Sequence, residues 1–145
     1  MVRKLSILTA VLTALVITAS AVFAASPHFI GTPSATIQGN SLIIEASVAG
    51  LGNATGADAT LTGSVDVFSR CYNRGGNKPQ ADNKQETVAV SQAGTFPVRN
   101  GRTNVTFTIA PLSTLTCPGN QVVVIESISY DLTLNVEGVI WHFVS

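Results

Sequence analysis

The sequence predicts an all-β protein: a single immunoglobulin-like antiparallel β-sandwich of seven or eight strands with one disulfide. Apolar and polar residues alternate with a period of two through most of the chain after residue 25. Gly, Pro and Asn interrupt that pattern at short intervals, as in sandwiches and small barrels, and no stretch has a convincing helical period. Two cysteines supply the bridge that a small exported domain often needs.

The first 24 residues have the composition of a signal peptide. Arg3 and Lys4 supply the positive start, an apolar run covers residues 5–23, and Ala24 ends a small-residue cleavage site. Ala21 is a second candidate for the cut. An uncleaved membrane anchor is the alternative, because the run is just about long enough to span a bilayer. We expect residues 1–24 to be a signal peptide and residues 25–145 to be one secreted β-sandwich domain.

The net charge and the apolar segments of the expected mature chain indicate which partners and which location to expect. The sequence has eight basic and eight acidic residues, and removing Arg3 and Lys4 leaves six basic residues against eight acidic ones. A net charge near −2 argues against nucleic acid or an anionic membrane as a partner. No second apolar run of spanning length follows, so no stable membrane insertion is expected after cleavage. The expected location is extracellular, or periplasmic in a host with an outer membrane.

Cys71 and Cys117 are expected to form a disulfide, because a cysteine pair in an exported protein is usually oxidised. The bridge would close a loop of 47 residues, worth about 4 kcal/mol in the chain-entropy model. Two free thiols are the alternative. A zinc site is not favoured, because two isolated cysteines lack the paired spacing of zinc ligands.

The first strands lead up to Cys71. A short strand is expected near residues 35–38. Leu42–Ala49 is more continuously apolar, which is typical of a strand covered on both faces. The next strand alternates, with one set of residues pointing inward and another outward. The inward set is Ala59, Leu61, Val65 and Val67; the outward set is Thr60, Thr62, Ser64 and Asp66.

Tyr72–Lys84 is predicted to be a long polar loop, because it has no strand pattern. Loops of this length are uncommon in compact domains and are usually functional or disordered. Amide side chains donate and accept hydrogen bonds at once, which suits sugar hydroxyls or peptide backbone. The alternative is that these amides cap the backbone of the loop itself. The candidate binding residues are Tyr72, Asn73, Arg74, Asn77, Lys78, Gln80, Asn83 and Lys84.

A hairpin is expected after a short strand near residues 87–90. Asn100-Gly101 is the strongest two-residue turn signal, since both positions tolerate positive φ. Counting outward places Val98 opposite Thr103, Phe96 opposite Val105 and Gly94 opposite Phe107. One face would then carry Phe96, Val98, Val105, Phe107 and Ile109. Arg99 and Arg102 would flank the turn side by side, and we expect solvent to relieve their repulsion.

The last strands follow a turn at residues 117–120, Cys-Pro-Gly-Asn, placed as a type II turn requires. Residues 122–125 are continuously apolar, residues 128–136 alternate, and residues 139–144 are expected to pair back through Glu137-Gly138. Trp141 follows both cysteines, whereas true immunoglobulin domains place a Trp between them. We therefore expect the bridge to join two loops rather than to clamp two sheets.

Three segments carry a resemblance to known proteins. They are AGLGN at residues 49–53, ADATLT at residues 57–62, and C-x-N-x-G-G-N-K-P-Q-A-x-N-K at residues 71–84. In these motifs the chain resembles a group of small secreted microbial β-sandwich proteins of unassigned function. The resemblance implies an extracellular single domain with the same disulfide. It supplies no catalytic residues.

Signals for enzymatic chemistry are weak. The sequence contains no G-x-S-x-G, H-E-x-x-H, calcium-loop or phosphate-loop motif, so no catalytic residue, metal site or cofactor is predicted. His28 is expected near a frayed terminus, and His142 within an apolar strand. Glu45 interrupts an apolar run and is expected to point outward from an edge strand. Asn53 and Asn104 are glycosylation acceptors if the host is eukaryotic.

These observations predict a secreted, non-catalytic binding or structural module whose partner is an extracellular glycan or protein. The polar segment and the nearby turn would form its contact surface. A small secreted enzyme or enzyme inhibitor acting on polysaccharide or peptide is one alternative. A self-associating coat or matrix protein is the other, favoured if an edge strand is bare and apolar.

Overall fold

The computed structural model describes residues 26–75 and 79–145, with the side chains of residues 79–81 excepted. The expected signal peptide, Asn77, Lys78 and the side chain of Gln80 lie outside the described residues. Within them the chain has eight strands, which confirms the all-β class and the expected number. The strands are β1 (His28–Phe29), β2 (Ser34–Gln38), β3 (Ser41–Ala49), β4 (Gly56–Asn73), β5 (Pro79–Pro97), β6 (Thr103–Ile109), β7 (Gln121–Val136) and β8 (Val139–Val144).

The strands form two antiparallel sheets. In the first sheet, β3 lies between β6 on one side and β1 and β2 on the other. The second sheet has the order β5-β4-β7-β8. One apolar core contains inward-facing residues of both sheets, so the two sheets pack as a sandwich.

The predicted alternation in β4 and β7 is confirmed. The inward residues of β4 are at most 2% exposed, and Leu132, Leu134 and Val136 of β7 are fully buried. The opposite residues of β4, such as Thr60 and Asp66, face solvent. Burial of one face therefore sets the register of these long strands, because a slip of one residue would expose every apolar side chain.

The predicted loop Tyr72–Lys84 is wrong in its extent. Strand β4 continues to Asn73 and β5 begins at Pro79, with Ser69 opposite Lys84 and Arg70 opposite Asn83. The polar segment is thus the end of a long two-stranded hairpin. We call residues 69–85 the arm. A break in register between Arg70 and Tyr72 marks an irregularity within it.

The hairpin predicted around Asn100-Gly101 is correct at its turn and wrong in its strand pairing. Both turn residues have positive φ, 52° and 72°, and Arg99 pairs with Arg102. Beyond that pair the strands separate, because β5 pairs with β4 and β6 pairs with β3. The predicted inner face is nevertheless in the core, where Phe96 and Phe107 meet edge to face at 5.4 Å.

Three smaller expectations also need correction. Val122 and Val124 are 41% and 37% exposed, so residues 122–125 are not covered on both faces. The hydrogen bond of the turn before β7 runs from Gln121 N–H to the Pro118 carbonyl, one residue later than predicted. Glu45 faces solvent, as expected, but it lies on β3, which is the central strand of its sheet.

The expected turn between β7 and β8 is confirmed. Glu137 and Gly138 both have positive φ, 49° and 87°, and Val136 pairs with Val139 across them. Strand β8 ends the second sheet, and Trp141 on it contacts Phe29 of β1 with ring centroids 5.8 Å apart. This contact ties the two sheets together at their edges.

Candidate functional site

The arm is covered on its inner side by the segment that links β6 to β7, residues 110–120, which we call the strap. Cys71, fully buried in β4, is bonded to Cys117 of the strap with Cα atoms 5.6 Å apart. The predicted disulfide is confirmed, but it joins a strand to a connecting segment rather than two loops. Ser69, also fully buried, lies with its Oγ 2.6 Å from Ser113 Oγ of the strap.

A polar network holds the other end of the strap. Asn40 exchanges two hydrogen bonds of 2.8 Å with the backbone of Ser113. Glu86 of β5 accepts hydrogen bonds from Ser113 Oγ at 3.0 Å and from the Thr114 N–H at 2.8 Å, and also from the Thr114 hydroxyl. Lys84 Nζ lies 3.1 Å from Glu86 Oε1. The strap is therefore attached to β4 and β5 by a covalent bond and by several side chains.

Glu86 is held in its charged form by these contacts. The hydrogen bond from the Thr114 side chain is the largest cause, and the Thr114 N–H, Lys84 and Ser113 act in the same direction. Together they outweigh partial burial and lower the pKa of Glu86 to about 2. The carboxylate is thus ionised at neutral pH, where it accepts hydrogen bonds from the strap.

The outer side of the arm carries a patch of mixed chemistry, which we call the arm patch: Phe68, Arg70, Tyr72, Val122, Val124 and Glu126. Ser69 and Cys71 face inward, so Arg70 and Tyr72 face outward, where they lie opposite Val124 and Val122. The Tyr72 hydroxyl donates a hydrogen bond to Glu126. This bond, more than burial, raises the pKa of Tyr72 and keeps its proton on the phenol.

Arg70 is positioned from two sides within the arm patch. Its guanidinium lies over the ring of Phe68, 5.2 Å from the centroid. Its Nε lies 3.6 Å from Glu126 Oε2, which is an ion pair too long for a hydrogen bond. The two exposed valines lie beside these polar groups. The patch thus offers apolar surface next to one cation and one anion.

The candidate residues named from the sequence fall into three groups. Asn73 and Arg74 are exposed at the tip of the arm, and Asn83 is exposed on β5. Tyr72 and Lys84 are bound to Glu126 and to the strap, respectively, so Lys84 supports the arm from within. Asn77, Lys78 and Gln80 lie outside the described residues or side chains.

Sequence reasoning missed the residues that hold and flank the arm. Ser69, Glu86, Ser113 and Asn40 are far apart in the chain, and none forms a motif. Arg70, Glu126 and the two valines become neighbours only through the pairing of β4 with β7. Nothing in the sequence predicts that Val122 and Val124 are exposed, because a continuous apolar run predicts burial.

The acidic and imidazole groups of the described residues have mainly structural contacts. Thr95 Oγ1 donates to Asp58 at 2.6 Å, and Glu137 accepts from the Asp58 N–H at the same distance. Thr87 donates to Asp66. His142 Nδ1 lies 3.1 Å from Thr133 Oγ1, and His28 Nδ1 lies 2.9 Å from the Ser26 carbonyl. Neither imidazole is hydrogen-bonded to a described carboxylate.

Asn53 and Asn104, the two potential glycosylation acceptors, are both exposed. Asn104 accepts a hydrogen bond of 2.7 Å from Ser47. The described residues contain no cluster of three or more His, Cys, Asp or Glu that could hold a metal ion. Within the same residues, no helix is long and apolar enough to cross a membrane. In comparisons with known proteins, no family model and no curated protein matches this chain.

Proposed function

We propose that the chain is a secreted, non-catalytic binding module of the immunoglobulin-like sandwich type and that the arm makes the contact with its ligand. The observation that carries this proposal is the double attachment of the arm. The Cys71–Cys117 bond and the Glu86 network fix it from the inner side, while Asn73 and Arg74 remain exposed. A surface that is ordered before binding loses less entropy when a ligand arrives.

The chemistry of the arm favours an extracellular glycan. The sequence of residues 73–83 includes Asn73, Asn77, Gln80 and Asn83, whose amides can both donate to and accept from hydroxyl groups. Tyr72 and the exposed valines supply apolar surface against which a sugar ring packs. The resemblance to small secreted microbial proteins supports the same location, and the disulfide is compatible with an extracellular or periplasmic site.

A catalytic role is less well supported by the contacts of the acids. Asp58, Asp66, Glu86, Glu126 and Glu137 each accept a hydrogen bond from another part of the chain or pair with a cation. Such contacts favour structural roles, whereas a glycosidase needs two carboxylates facing each other across a cleft.

The arm proposal is tested with a glycan and cell-wall binding array on residues 25–145. Asn73→Ala, Asn77→Ala and Gln80→Ala together should abolish binding to any glycan that the wild type retains, with Tm nearly unchanged. The matched control is Thr60→Ala, Thr62→Ala and Ser64→Ala on the same outer face, away from the arm, which should bind normally. A large loss of Tm with intact binding would show the amides to be structural. A wild type that binds proteins and no glycan would contradict the ligand class.

Strand β8 favours a second candidate function, self-association with another copy of this chain. Among the described residues no strand pairs with its outer edge, and Ile140 and Val144 are 52% and 73% exposed. Strand β8 contains no Lys or Pro, the residues that commonly protect edges. The strand at the opposite edge of the same sheet, β5, begins and ends with Pro.

Two copies of β8 are complementary to each other in one antiparallel register. Residues that lie opposite each other must be on the same face of the sheet. An even-numbered residue of one copy therefore lies opposite an even-numbered residue of the other. Placing His142 opposite His142 sets Ile140 opposite Val144 of the second copy, and the reverse. This arrangement would bring Ile140 and Val144 into cross-strand contact and satisfy the unpaired backbone edge of each copy.

A further inference from the structure

Two arginines are held side by side at the end of the sandwich opposite the arm tip. Arg99 and Arg102 exchange backbone hydrogen bonds of 2.8 and 3.0 Å across the Asn100-Gly101 turn, so their side chains leave the hairpin on one face. Like charges directly opposite each other destabilise a hairpin. Within the described part of the chain, no carboxylate lies within 4.0 Å of either guanidinium, since the two ion pairs there involve Arg70 and Lys84.

The hairpin that carries the two arginines is fixed to the rest of the fold. Leu51 N–H donates to the Gly101 carbonyl at 3.0 Å, and Val98 N–H donates to the Thr55 carbonyl at 3.0 Å. Buried Thr103 donates from its hydroxyl to the Pro97 carbonyl at 2.9 Å. The positions from which the guanidinium groups extend are therefore set before any ligand arrives.

The arginines border a groove on the outer face of the first sheet. A cavity of about 530 Å³ is lined by Arg99, Arg102, Ser47, Asn104, Ile30 and Pro97. A second cavity of about 400 Å³ shares Ile30, Ser47 and Asn104 with the first and reaches Glu45. The groove thus has two cations at one end, hydroxyl and amide groups with apolar side chains in the middle, and a carboxylate at the far end.

We propose that this groove binds an oligosaccharide that carries a single uronic acid, with the sugar carboxylate at Arg99 and Arg102. Guanidinium groups bind carboxylates through paired hydrogen bonds, and a ligand carboxylate would relieve the repulsion between the two arginines. Ser47 and Asn104 supply partners for sugar hydroxyls, and Ile30 and Pro97 supply apolar surface. Glu45 repels a second anion, so a sparsely charged chain fits better than a polyanion.

Calorimetric titration of residues 25–145 tests this proposal with three probes: an oligosaccharide bearing one uronic acid, its carboxyl-reduced form, and inorganic phosphate. The wild type should bind the first, more weakly as salt rises, and the carboxyl-reduced form at least tenfold more weakly. Arg99→Gln with Arg102→Gln should weaken binding of the acidic oligosaccharide at least tenfold. Its Tm should equal or exceed that of the wild type, because the opposed charges are gone.

The matched control is Thr60→Glu with Thr62→Glu, which lowers the net charge by the same two units at exposed positions of β4 and should leave this binding unchanged. An equal loss in both double variants would mean that net charge alone attracts the ligand, and the site would be refuted. The site would also be refuted by a wild type that does not bind the acidic oligosaccharide, or that binds phosphate as tightly. The arm variant of the preceding section should retain this binding, so the two proposals fail independently.

Discussion

Glu86 is the residue whose charge state bears most directly on the attachment of the strap. Its carboxylate accepts from Ser113 and Thr114 and pairs with Lys84, and its side chain is only 16% exposed. Hydrogen bonds to a charged group contribute about 1.5–3 kcal/mol to stability. We therefore expect Glu86→Gln to lower the free energy of unfolding at pH 7 by about 2 kcal/mol, measured by urea titration.

The pH dependence of that difference gives a sharper test. The pKa of Glu86 is lowered from 4.5 to about 2, so its contribution to stability is fully present above pH 4.5 and is lost as the pH falls towards 2. The stability difference between wild type and Glu86→Gln should shrink over that window. Asp82→Asn, which removes an exposed carboxylate of the same strand, controls for net charge. A difference that stays constant down to pH 2 would contradict the assignment.

Gly63 is a second position at which a single added atom, a Cβ, should change the stability of the fold. It interrupts the inward series of β4 between Leu61 and Val65, and its φ is 134°. A Cβ at this position would lie 2.0 Å from the carbonyl oxygen of Asp131 on β7. Gly63→Ala should therefore force the two strands apart and destabilise the fold by well over the roughly 1–2 kcal/mol of a positive φ alone.

Gly39 offers the matched comparison for this prediction. Its φ is 58°, and a Cβ there would have nothing within 4 Å. Gly39→Ala should cost only about 1–2 kcal/mol, the strain of the left-handed conformation. Thermal unfolding of both variants measures the difference. Equal losses would mean that β4 and β7 adjust freely at Gly63.

At the scale of elements, the arm depends on the bond between β4 and the strap. Cys71→Ala with Cys117→Ala should lower the free energy of unfolding by about 4 kcal/mol in the chain-entropy model, as measured by denaturant titration. Wild type unfolded in the presence of a reductant should behave like the double variant. Exported material in which both thiols can be alkylated without reduction would contradict the bond itself.

The strands of the arm could not be predicted from the sequence because their inner face is polar. A strand pattern requires apolar residues on the buried face, but Ser69 and Lys84 of the arm contact the strap through polar groups instead. In β4 and β7 the inner face meets an apolar core, and there the alternation predicted the correct faces. Sequence pattern therefore reveals burial against apolar surface and misses burial against a polar segment.

The hairpin at Asn100-Gly101 shows which features a local sequence signal can predict and which depend on residues distant in the chain. The turn follows from two residues that accept positive φ, and it forms as predicted. The partner of each strand depends on competition with distant strands, and here β5 pairs with β4 while β6 pairs with β3. The grouping of Arg70 with Glu126 likewise required the pairing of β4 with β7, which no local signal encodes.

At the scale of the whole molecule, the bare edge of β8 predicts a dimer. Sedimentation equilibrium of residues 25–145 should show a concentration-dependent dimer. Ile140→Lys with Val144→Lys should be monomeric, because charges along an edge oppose strand pairing. Ile37→Lys changes another exposed apolar residue, 43% exposed and away from β8, and should leave the dimer intact. A wild type that stays monomeric at millimolar concentration would exclude this candidate function.

The position of the disulfide also decides how the molecule responds to mechanical force. The tip of the arm lies inside the loop closed by Cys71 and Cys117, which are 46 positions apart. Tension applied between the two ends of the domain passes through the sulfur–sulfur bond, so this loop stays slack. About 150–165 Å of contour length would remain hidden in a pulling experiment until the bond is reduced. Residues 72–116, which include Asn73 and Asn83, would then stay inside a covalently closed loop while the rest of the chain is extended.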